Sequence, residues 1–239
     1  MTHAPAFSAE AVTSRFRKAI SCKESGVMLD LACGPALLLA SLAPAMRFSV
    51  GVDLTPEMIQ MARARVREAS QANTRFVESL AECLPFATAA FDCVVTRLSI
   101  HHFLDPLHVL REVKRILKAD GLLVIGDVIA SDDPTEARLH NALEHLRDPS
   151  HIRMLPEREL LDLVTAAGFR VTATDRWLQH RRFGEWAAIV ANARSLTSLE
   201  VVMRTIANAG LAAGIDLRAT ADSVEFVHHW AFISAQPVT

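Results

Sequence analysis

Small and acidic residues directly follow an apolar segment near the start of the chain. The segment Val27–Ala32 is typical of a short buried strand, and Asp30 stands near its carboxyl end. The residues of the next turn, Ala32–Ala36, are mostly small, so a ligand can approach the backbone where the strand ends. The turn does not have the G-x-G-x-x-G spacing of pyrophosphate-binding loops, and a carboxylate suits an ammonium group rather than a phosphate. The pattern therefore favours a nucleotide-like ligand that carries a positive charge.

A second acidic residue, Asp53, ends the next apolar segment roughly 20 residues downstream. A carboxylate at this place can accept hydrogen bonds from both ribose hydroxyls of a bound nucleoside. The alternative is a carboxylate that is favoured at a helix N-terminus by the helix dipole. The pairing of Asp53 with the small-residue turn favours the ligand-binding interpretation.

Strands and helices alternate along the part of the chain that must position these residues. The predicted strands are Val27–Ala32, Phe48–Leu54, Thr74–Glu78, Phe91–Thr96 and Leu122–Val128. The predicted helices are Ser8–Ile20, Pro35–Ala43, one that begins after Thr55 with Pro56, and one that begins after Asp105. This order predicts an α/β fold in which a largely parallel sheet carries helices on both faces.

The alternation becomes less regular in the second half of the chain. We predict a helix over Thr135–Leu146, a helix over Pro156–Ala167, a strand over Phe169–Trp177, a mostly helical stretch over Arg181–Asp222 and a final strand over Ser223–Ala235. We interpret residues 1–239 as one domain. The segments 132–155 and 181–222 are then helical insertions that form a lid and the substrate region.

The composition excludes several classes of partner and compartment. The formal net charge is −2 and the basic residues are scattered, which argues against a nucleic-acid partner. The longest apolar stretch, Leu122–Ala130, is interrupted by Asp127 and is far shorter than the ~20 residues of a membrane helix. No secretory signal is evident at the N-terminus. The four cysteines are widely separated, which favours a reducing, cytoplasmic location without a zinc site, and the lack of tyrosine excludes a phenolic base.

Several further short motifs follow the first two acidic residues in a fixed order. They are Leu29-Asp30-Leu31-Ala32-Cys33-Gly34, Gly51-Val52-Asp53, Ala81-Glu82-Cys83-Leu84-Pro85-Phe86, Phe91-Asp92, His101-His102-Phe103, and Arg111-Glu112-Val113 through Leu117 to Gly121. With this set the chain resembles class I S-adenosylmethionine (SAM)-dependent methyltransferases of the ubiquinone/menaquinone-biosynthesis type over about Gly26–Asp127. The resemblance implies a Rossmann-like, seven-stranded sheet with an antiparallel last strand. It also implies SAM as cofactor, S-adenosylhomocysteine as product, and no metal.

The resemblance further implies which residues hold SAM. The methionine part would contact Asp30, Ala32 and Gly34, and the ribose would contact Asp53. The remaining expected contacts are Leu54, Met58, Ala81 and Glu82 around the adenine, and Arg97 and Leu98 near the methionine carboxylate and the reactive methyl. Two positions depart from the family pattern: Ala36 stands where glycine is usual, and Leu80 where an aspartate or threonine often occurs.

A narrower resemblance covers the segment Leu146–Arg153, which is similar to an R-D-P-S-H-x-R segment in a bacterial subgroup of the family. That subgroup acts on small metabolites, including nitrogen heterocycles, and forms its substrate lid here. The candidate catalytic residues are His151 and His102, and the candidate substrate contacts are Arg97, Asp127, Arg147, His151, Arg153 and Trp186. Each has a structural alternative: the histidines cap turns or a helix start, the arginines pair internally, the aspartate anchors the lid, and the tryptophan packs its own core.

The expected activity is transfer of the SAM methyl group to nitrogen, oxygen or carbon of a small-molecule acceptor, for instance a nitrogen heterocycle or a quinone-like aromatic compound. In-line displacement requires mainly positioning, so the lack of an obvious catalytic dyad is compatible with activity. The alternative is a SAM-binding protein that catalyses a non-methylating reaction such as a cyclisation. A nicotinamide-dependent oxidoreductase is disfavoured by the loop spacing. The sequence leaves open whether the protein is a monomer or a homodimer.

Overall fold

The computed structural model describes residues 10–188 and 193–238. Its α-helices are α1 (Glu10–Ile20), α2 (Leu37–Leu42), α3 (Pro56–Glu68), α4 (Pro106–Ile116), α5 (Pro134–Arg147), α6 (Glu157–Ala166), α7 (Phe183–Ala187) and α8 (Ala193–Asn208). Its strands are β1 (Val27–Leu31), β2 (Phe48–Asp53), β3 (Thr74–Glu78), β4 (Phe91–Arg97), β5 (Leu117–Val128), β6 (Phe169–Arg182), β7 (Arg218–Ala219) and β8 (Val224–Pro237). A short 3₁₀ turn, Ile100–His102, follows β4. The first residues of the helix predicted from Ser8 lie outside the described residues.

The strands form one sheet in the order β3, β2, β1, β4, β5, β8, β6, and β7 pairs with β8. The neighbours from β3 to β5 are parallel. The last strand, β8, is antiparallel to both β5 and β6. This arrangement confirms the predicted Rossmann-like α/β fold with a mostly parallel sheet and an antiparallel last strand.

The order of strands reverses direction next to β1, because β2 and β3 lie on one side of it and β4 and β5 on the other. In such sheets the crevice at the carboxyl ends of the strands around this point binds ligands. Asp30 lies in β1, and Asp53 and Arg97 are the last residues of β2 and β4. The topology therefore brings these three candidate residues to one edge of the sheet.

Apolar side chains cover both faces of the sheet. Helices α4 and α6 pack on one face, and α1, α2 and α3 pack on the other. A third buried cluster joins α5, α7 and α8 to β8, with Trp186 and Phe226 at its centre. The ring centroids of these two residues are 5.2 Å apart in an edge-to-face arrangement. This separate core fixes the second half of the chain against the sheet.

The predicted secondary structure is wrong at the start of the segment 181–222. We predicted a mostly helical segment from Arg181, but β6 continues to Arg182. The strand is longer than predicted because it pairs with β8 over its whole length, from Phe169 opposite Pro237 to Arg182 opposite Glu225. The helix predicted over Thr135–Leu146 is confirmed by α5, which Asp133 caps by accepting hydrogen bonds from the backbone of Thr135 and Glu136.

Within residues 10–188 and 193–238, none of the helices is both long enough and apolar enough to cross a membrane.

Candidate cofactor and acceptor sites

The turn after β1 is built from residues with left-handed backbone conformations. Ala32, Gly34 and Ala36 have φ angles of 53°, 51° and 58°. The backbone N–H of Cys33 donates to the carbonyl of Val52 at 2.8 Å, which ties the turn to β2. A Cβ atom added to Gly34 would meet no described atom within 4 Å. The turn therefore borders open space at the place where the sequence predicts a ligand.

Asp30 lies next to this turn with an unsatisfied carboxylate oxygen. The side chain is buried, and its Oδ2 atom has no hydrogen-bond partner among the described residues. Burial raises the pKa of Asp30 to about 7, although the charge of Arg97 acts to lower it. A buried acceptor without a partner costs free energy, so the position is suited to a donor from a ligand. A ligand ammonium group would supply both the donor and the charge that favours the ionised carboxylate.

Asp53 connects the turn to the start of α3. Its Oδ2 atom accepts a hydrogen bond from the backbone N–H of Gly34 at 2.8 Å, and its Oδ1 atom accepts one from Thr55 at 2.9 Å. Each carboxylate oxygen has a second lone pair that these bonds do not use. Asp53 is thus held in a fixed orientation and can still accept two hydroxyl groups. Both interpretations from the sequence are compatible with this geometry, since the Thr55 contact lies at the helix start.

Two large apolar side chains lie exposed beyond Asp53. Leu54 is 59% exposed and Leu80 is 51% exposed. Met58, Ala81 and Glu82, which we also predicted near the adenine, are partly buried. An aromatic ligand ring that covered these leucines would remove apolar surface from water, which is favourable. The structure therefore has exposed apolar surface where we expect the adenine to bind.

We expect Gly34→Ala to weaken binding of SAM about tenfold or more, equivalent to roughly 1.4 kcal/mol. The added methyl group would enter the open space beside the turn, while the left-handed backbone would reduce the free energy of unfolding by about 1–2 kcal/mol. Calorimetry with SAM and urea denaturation of the same samples measure the two effects.

Gly210→Ala is the matched control for the Gly34 variant. Gly210 also has a positive φ of 76°, and a Cβ there also meets no described atom within 4 Å. The control is expected to lose a similar amount of stability and to bind SAM as the wild type does. Equal affinity in the two variants would show that the space beside Gly34 is not used by the cofactor.

Asp127 and His101 form a buried pair beside the carboxyl ends of β4 and β5. The Nδ1 atom of His101 lies 2.6 Å from Oδ1 of Asp127, whose carboxylate also accepts backbone hydrogen bonds from Ser99, Ile100 and Val128. Burial is the largest single influence and opposes ionisation of both groups, but their mutual attraction and the hydrogen bonds to Asp127 together outweigh it. The pKa of His101 is therefore raised and that of Asp127 is lowered. Asp127 is thereby engaged internally, in the anchoring role that the sequence left open.

The turn that carries His101 also anchors the segment after α5. The backbone carbonyl of His101 accepts hydrogen bonds from Ile152 at 2.9 Å and from Arg153 at 3.0 Å. The ring of His101 lies 4.4 Å from that of His102 and 5.4 Å from that of His151 between centroids. The fold thus brings both candidate catalytic histidines together around a third imidazole.

The tautomers of the two candidate histidines follow from their partners. His102 Nδ1 lies 2.9 Å from the carbonyl oxygen of Ser150 and donates to it, so its Nε2 atom carries the lone pair when the ring is neutral. His151 Nε2 donates to Asn141 Oδ1 at 2.8 Å, because that oxygen also accepts from the backbone of Met154. Burial and the charge of His101 lower the pKa of His102 and lower that of His151 to about 4. Both rings are therefore neutral at pH 7.

These histidines line a small cavity, which we call the acceptor cavity. It has a free volume of about 100 Å³ and is lined by Leu98, His101, His102, Val128, Glu144, Arg147, Asp148, His151, Met154, Arg181, Trp186 and His228. Leu98 directly follows β4, where we predicted the reactive methyl of the cofactor. The cavity thus begins next to the expected cofactor site and extends between α5, β6 and β8.

Glu144 is the central carboxylate of the cavity wall. Its Oε2 atom accepts from Arg147 Nε at 3.0 Å, and its Oε1 atom accepts from the indole N–H of Trp186 at 3.2 Å. The Nε2 atoms of His228 and His140 lie 3.0 and 3.8 Å from the same Oε1, without hydrogen-bond geometry. This group of two histidines and one carboxylate has the spacing of metal ligands. A cation would nevertheless compete with Arg147 and Trp186 for the carboxylate.

The structure places the other predicted substrate contacts in different surroundings. Arg147 and Trp186 lie in the cavity wall, where the guanidinium stacks 4.9 Å from the centroid of the indole ring. Trp186 is buried at 2% exposure, so it also belongs to the third core. Arg153 is half exposed and forms an ion pair with Glu159, and it does not line the cavity. Arg97 has Asp30 as a charge partner, at the cofactor side of the site.

Sequence reasoning missed several residues of the cavity wall. We favoured a helix-start role for His101 over a functional one, and Glu144, Arg181 and His228 had no motif to indicate them. At the end of β6, Gln179 and Arg181 are buried between exposed residues. A strand predicted to continue beyond Trp177 would have placed these two side chains on one face of the sheet.

Comparison with known proteins identifies the family. Residues 29–125 match the family described as "Methyltransferase domain". The Bacillus subtilis protein named "Uncharacterized methyltransferase YcgJ" is 32% identical over 169 residues, which cover 71% of this chain and 67% of that protein. The chain belongs to the SAM-dependent methyltransferases. This methyltransferase is also 37% identical over 113 residues to the ubiquinone/menaquinone biosynthesis C-methyltransferase UbiE of Citrifermentans bemidjiense, a match that covers 45% of the chain and 48% of UbiE.

Solved structures show the same fold at lower sequence identity. The YcgJ protein of Bacillus subtilis superposes with a TM-score of 0.88 at 24% identity, and the match covers 96% of this methyltransferase and 99% of that chain. A SAM-dependent methyltransferase from Aquifex aeolicus superposes with a TM-score of 0.58 at 16% identity, over 94% of this chain and 89% of that chain. Membership of the narrower subgroup with the R-D-P-S-H segment stays a prediction.

The residues at the carboxyl ends of β1 and β2 fit the cofactor that the family uses. The unpartnered oxygen of Asp30 suits the ammonium group, the open space at Gly34 suits the methionine part, and the spare lone pairs of Asp53 suit the ribose hydroxyls. The two exposed leucines suit the adenine.

Proposed function

We propose that this methyltransferase methylates a small polar metabolite in the acceptor cavity. The observation that carries the proposal is the position of the cavity, which is lined by Leu98, directly after β4, and by residues of α5, α7, β8 and the C-terminal end of β6. The free volume of about 100 Å³ favours a small acceptor over a macromolecule. A polar lining of imidazole, guanidinium and carboxylate groups favours an acceptor with hydrogen-bonding groups.

The chain would contribute mainly by positioning. Bound SAM supplies an electrophilic methyl group on its sulfonium. Asp30 would hold the ammonium group and Asp53 the ribose, so that the sulfonium faces Leu98 at the mouth of the cavity. Orientation of two reactants in this way accounts for ~7–11 kcal/mol of barrier lowering in comparable reactions.

His102 and His151 are the proposed catalytic residues. Each ring is neutral at pH 7 and has one nitrogen whose hydrogen donates to a carbonyl-type oxygen, so the other nitrogen is available as an acceptor. They would orient an N–H or O–H group of the acceptor and take up its proton where the nucleophile loses one. His101 would position these rings, since it is held by Asp127 and its ring lies against both of them.

Incubation of the protein with SAM and a panel of small polar metabolites tests the proposal. Mass spectrometry is expected to show a product heavier by one methylene unit, together with an equal amount of S-adenosylhomocysteine. A product of unchanged mass that forms only with SAM present would instead support the non-methylating alternative. Release of S-adenosylhomocysteine only with nucleic acid or protein acceptors would contradict the small-molecule proposal.

A further inference from the structure

Arg181 lies in the wall of the acceptor cavity without an ion-pair partner among the described residues. The side chain is 5% exposed, and its Nε atom is buried with no hydrogen-bond partner. Among residues 10–188 and 193–238, no carboxylate forms an ion pair with its guanidinium. Burial lowers the pKa of Arg181 to about 10, so the group stays positively charged at pH 7.

The charged groups around Arg181 do not neutralise it. Glu144 attracts the charge of Arg181 through space, but Arg147 and Trp186 already occupy its two oxygens. Glu185 lies on α7 and attracts the charge of Arg181 without forming a hydrogen bond or an ion pair with it. His228 is neutral at pH 7, because burial lowers its pKa to about 4. Asp148, the other carboxylate of the wall, accepts a hydrogen bond from Ser150 and is attracted by His102 and Arg147. Within the part of the chain that the structure describes, Arg181 is therefore left without an ion-pair partner.

An uncompensated buried charge is expensive for a folded protein. Removal of one partner from a buried ion pair costs about 3–5 kcal/mol, which indicates the penalty of such an isolated charge. A guanidinium cannot escape the penalty by losing its proton, unlike a histidine or a lysine. The fold keeps the charge at the cavity surface, where a ligand can reach it.

We propose that the methyl acceptor carries a carboxylate group, which binds the guanidinium of Arg181 while the methylated atom faces Leu98. One unpaired guanidinium matches a monoanion, and its planar fork matches a carboxylate in a bidentate arrangement. The small volume of the cavity fits a carboxylate better than a phosphate with its fourth oxygen. This inference rests on the proposed function, since it assigns the acceptor class of the same site.

The outer side of Arg181 does not offer an equivalent site. Arg181 also borders a wider cleft with a free volume of about 400 Å³. The acidic residues Glu185, Asp216 and Glu225 line that cleft together with Arg182 and Arg218, so its charges are already balanced, and Leu98 is not part of its lining. A carboxylate bound there would lie away from the expected position of the reactive methyl. The carboxylate is therefore placed on the cavity side.

Titration of the S-adenosylhomocysteine-saturated protein with acetate and with acetamide tests the proposal. The two probes have nearly the same shape and are small enough for the cavity, but only acetate is an anion. The readout is the indole N–H signal of Trp186 in NMR spectra, since this group donates to Glu144 in the cavity wall. Acetate is expected to shift the signal in a saturable way at concentrations about tenfold lower or more than acetamide.

Arg181→Met removes the charge and keeps the length of the side chain, and Arg182→Met is its matched control. Arg182 is exposed on the same strand and pairs with Glu225 at 3.3 Å. The Arg181 variant is expected to lose the acetate response and the control to keep it, with S-adenosylhomocysteine affinity unchanged in both. An acetate response that survives in Arg181→Met, or an equal response to acetamide in the wild type, would overturn the proposal. Loss of S-adenosylhomocysteine binding by the wild type would count against the proposed function instead.

Stability without ligand gives a second, independent readout. Because Arg181→Met removes an unpaired buried charge, it is expected to raise the denaturation midpoint of the ligand-free protein, while Arg182→Met leaves it nearly unchanged. A lower midpoint for Arg181→Met would show that the guanidinium is satisfied within the fold and would overturn the proposal.

Discussion

Asp53→Ala is expected to weaken binding of SAM by a factor of at least about 100. Each charge-assisted hydrogen bond between a carboxylate and a hydroxyl contributes ~1.5–3 kcal/mol, and two of them would be lost. The substitution also removes the acceptor for the backbone N–H of Gly34, so the turn beside the ligand loses its support. Calorimetric titration with SAM and with S-adenosylhomocysteine measures the change.

Glu57→Ala is the control for the Asp53 variant. Glu57 is an exposed carboxylate in the first turn of α3, close to Asp53 in sequence. Its removal changes the local charge by the same amount but is expected to alter the SAM affinity less than about threefold. Similar affinities for the two variants would contradict a direct contact between Asp53 and the ribose, and would favour the helix-terminus interpretation.

Asp127→Asn is expected to lower the free energy of unfolding by about 3–5 kcal/mol. The carboxylate accepts four hydrogen bonds, two at each oxygen, from His101 and from backbone N–H groups. The amide nitrogen of asparagine would face two of these donors, which would then be buried without an acceptor. Denaturation by urea at pH 7 measures the loss.

Asp92→Asn is the control for this second substitution. Asp92 also accepts from a backbone N–H, that of Val27 at 2.8 Å, and from a cation, Lys118 at 2.7 Å, but it lies nearer to solvent. Asp92→Asn is expected to lower the free energy of unfolding by about 1 kcal/mol. If Asp127→Asn lowers the free energy of unfolding no more than Asp92→Asn does, that result would contradict a stabilising role of the buried His101–Asp127 pair.

The pH dependence of the His101–Asp127 pair provides a test of the electrostatic account. The pKa of His101 is raised above 6.5, so its stabilising contribution is complete below pH 6.5 and is lost as the pH rises through the raised value. The pKa of Asp127 is lowered, so its contribution is lost as the pH falls through that lowered value. In Asp127→Asn, His101 stays buried but no longer has a neighbouring carboxylate that favours its charged form. NMR titration is therefore expected to give a His101 pKa below 6.5.

The fold and the placement of the candidate cofactor residues at one edge of the sheet could be predicted because their determinants are local. Asp30, Gly34 and Asp53 lie at the ends of short strands, and parallel strands bring their carboxyl ends to one edge of the sheet. Residues at the ends of successive strand motifs in the sequence are therefore neighbours in the structure. The exposed Leu80, a departure from the family pattern, lies on the expected adenine side without disturbing this arrangement.

The acceptor half could not be predicted to the same extent, because it depends on contacts between distant parts of the chain. Arg181 comes from β6 and His228 from β8, and both reach the cavity only because these strands pair antiparallel over their whole length. The prediction ended the strand at Trp177, so Arg181 was assigned to a helical segment. His101 was assigned to a helix start because nothing in the sequence connects it with Asp127, which lies 26 residues further along the chain.

The structure of the complex with S-adenosylhomocysteine tests the central claim most directly. We expect the ribose hydroxyls on Asp53, the ammonium group on Asp30, and the sulfur at the mouth of the acceptor cavity beside Leu98. That result would align the cofactor with the cavity in which the acceptor is proposed to bind. A ligand bound elsewhere, or a sulfur atom that Leu98 and the surrounding chain separate from the cavity, would contradict the account.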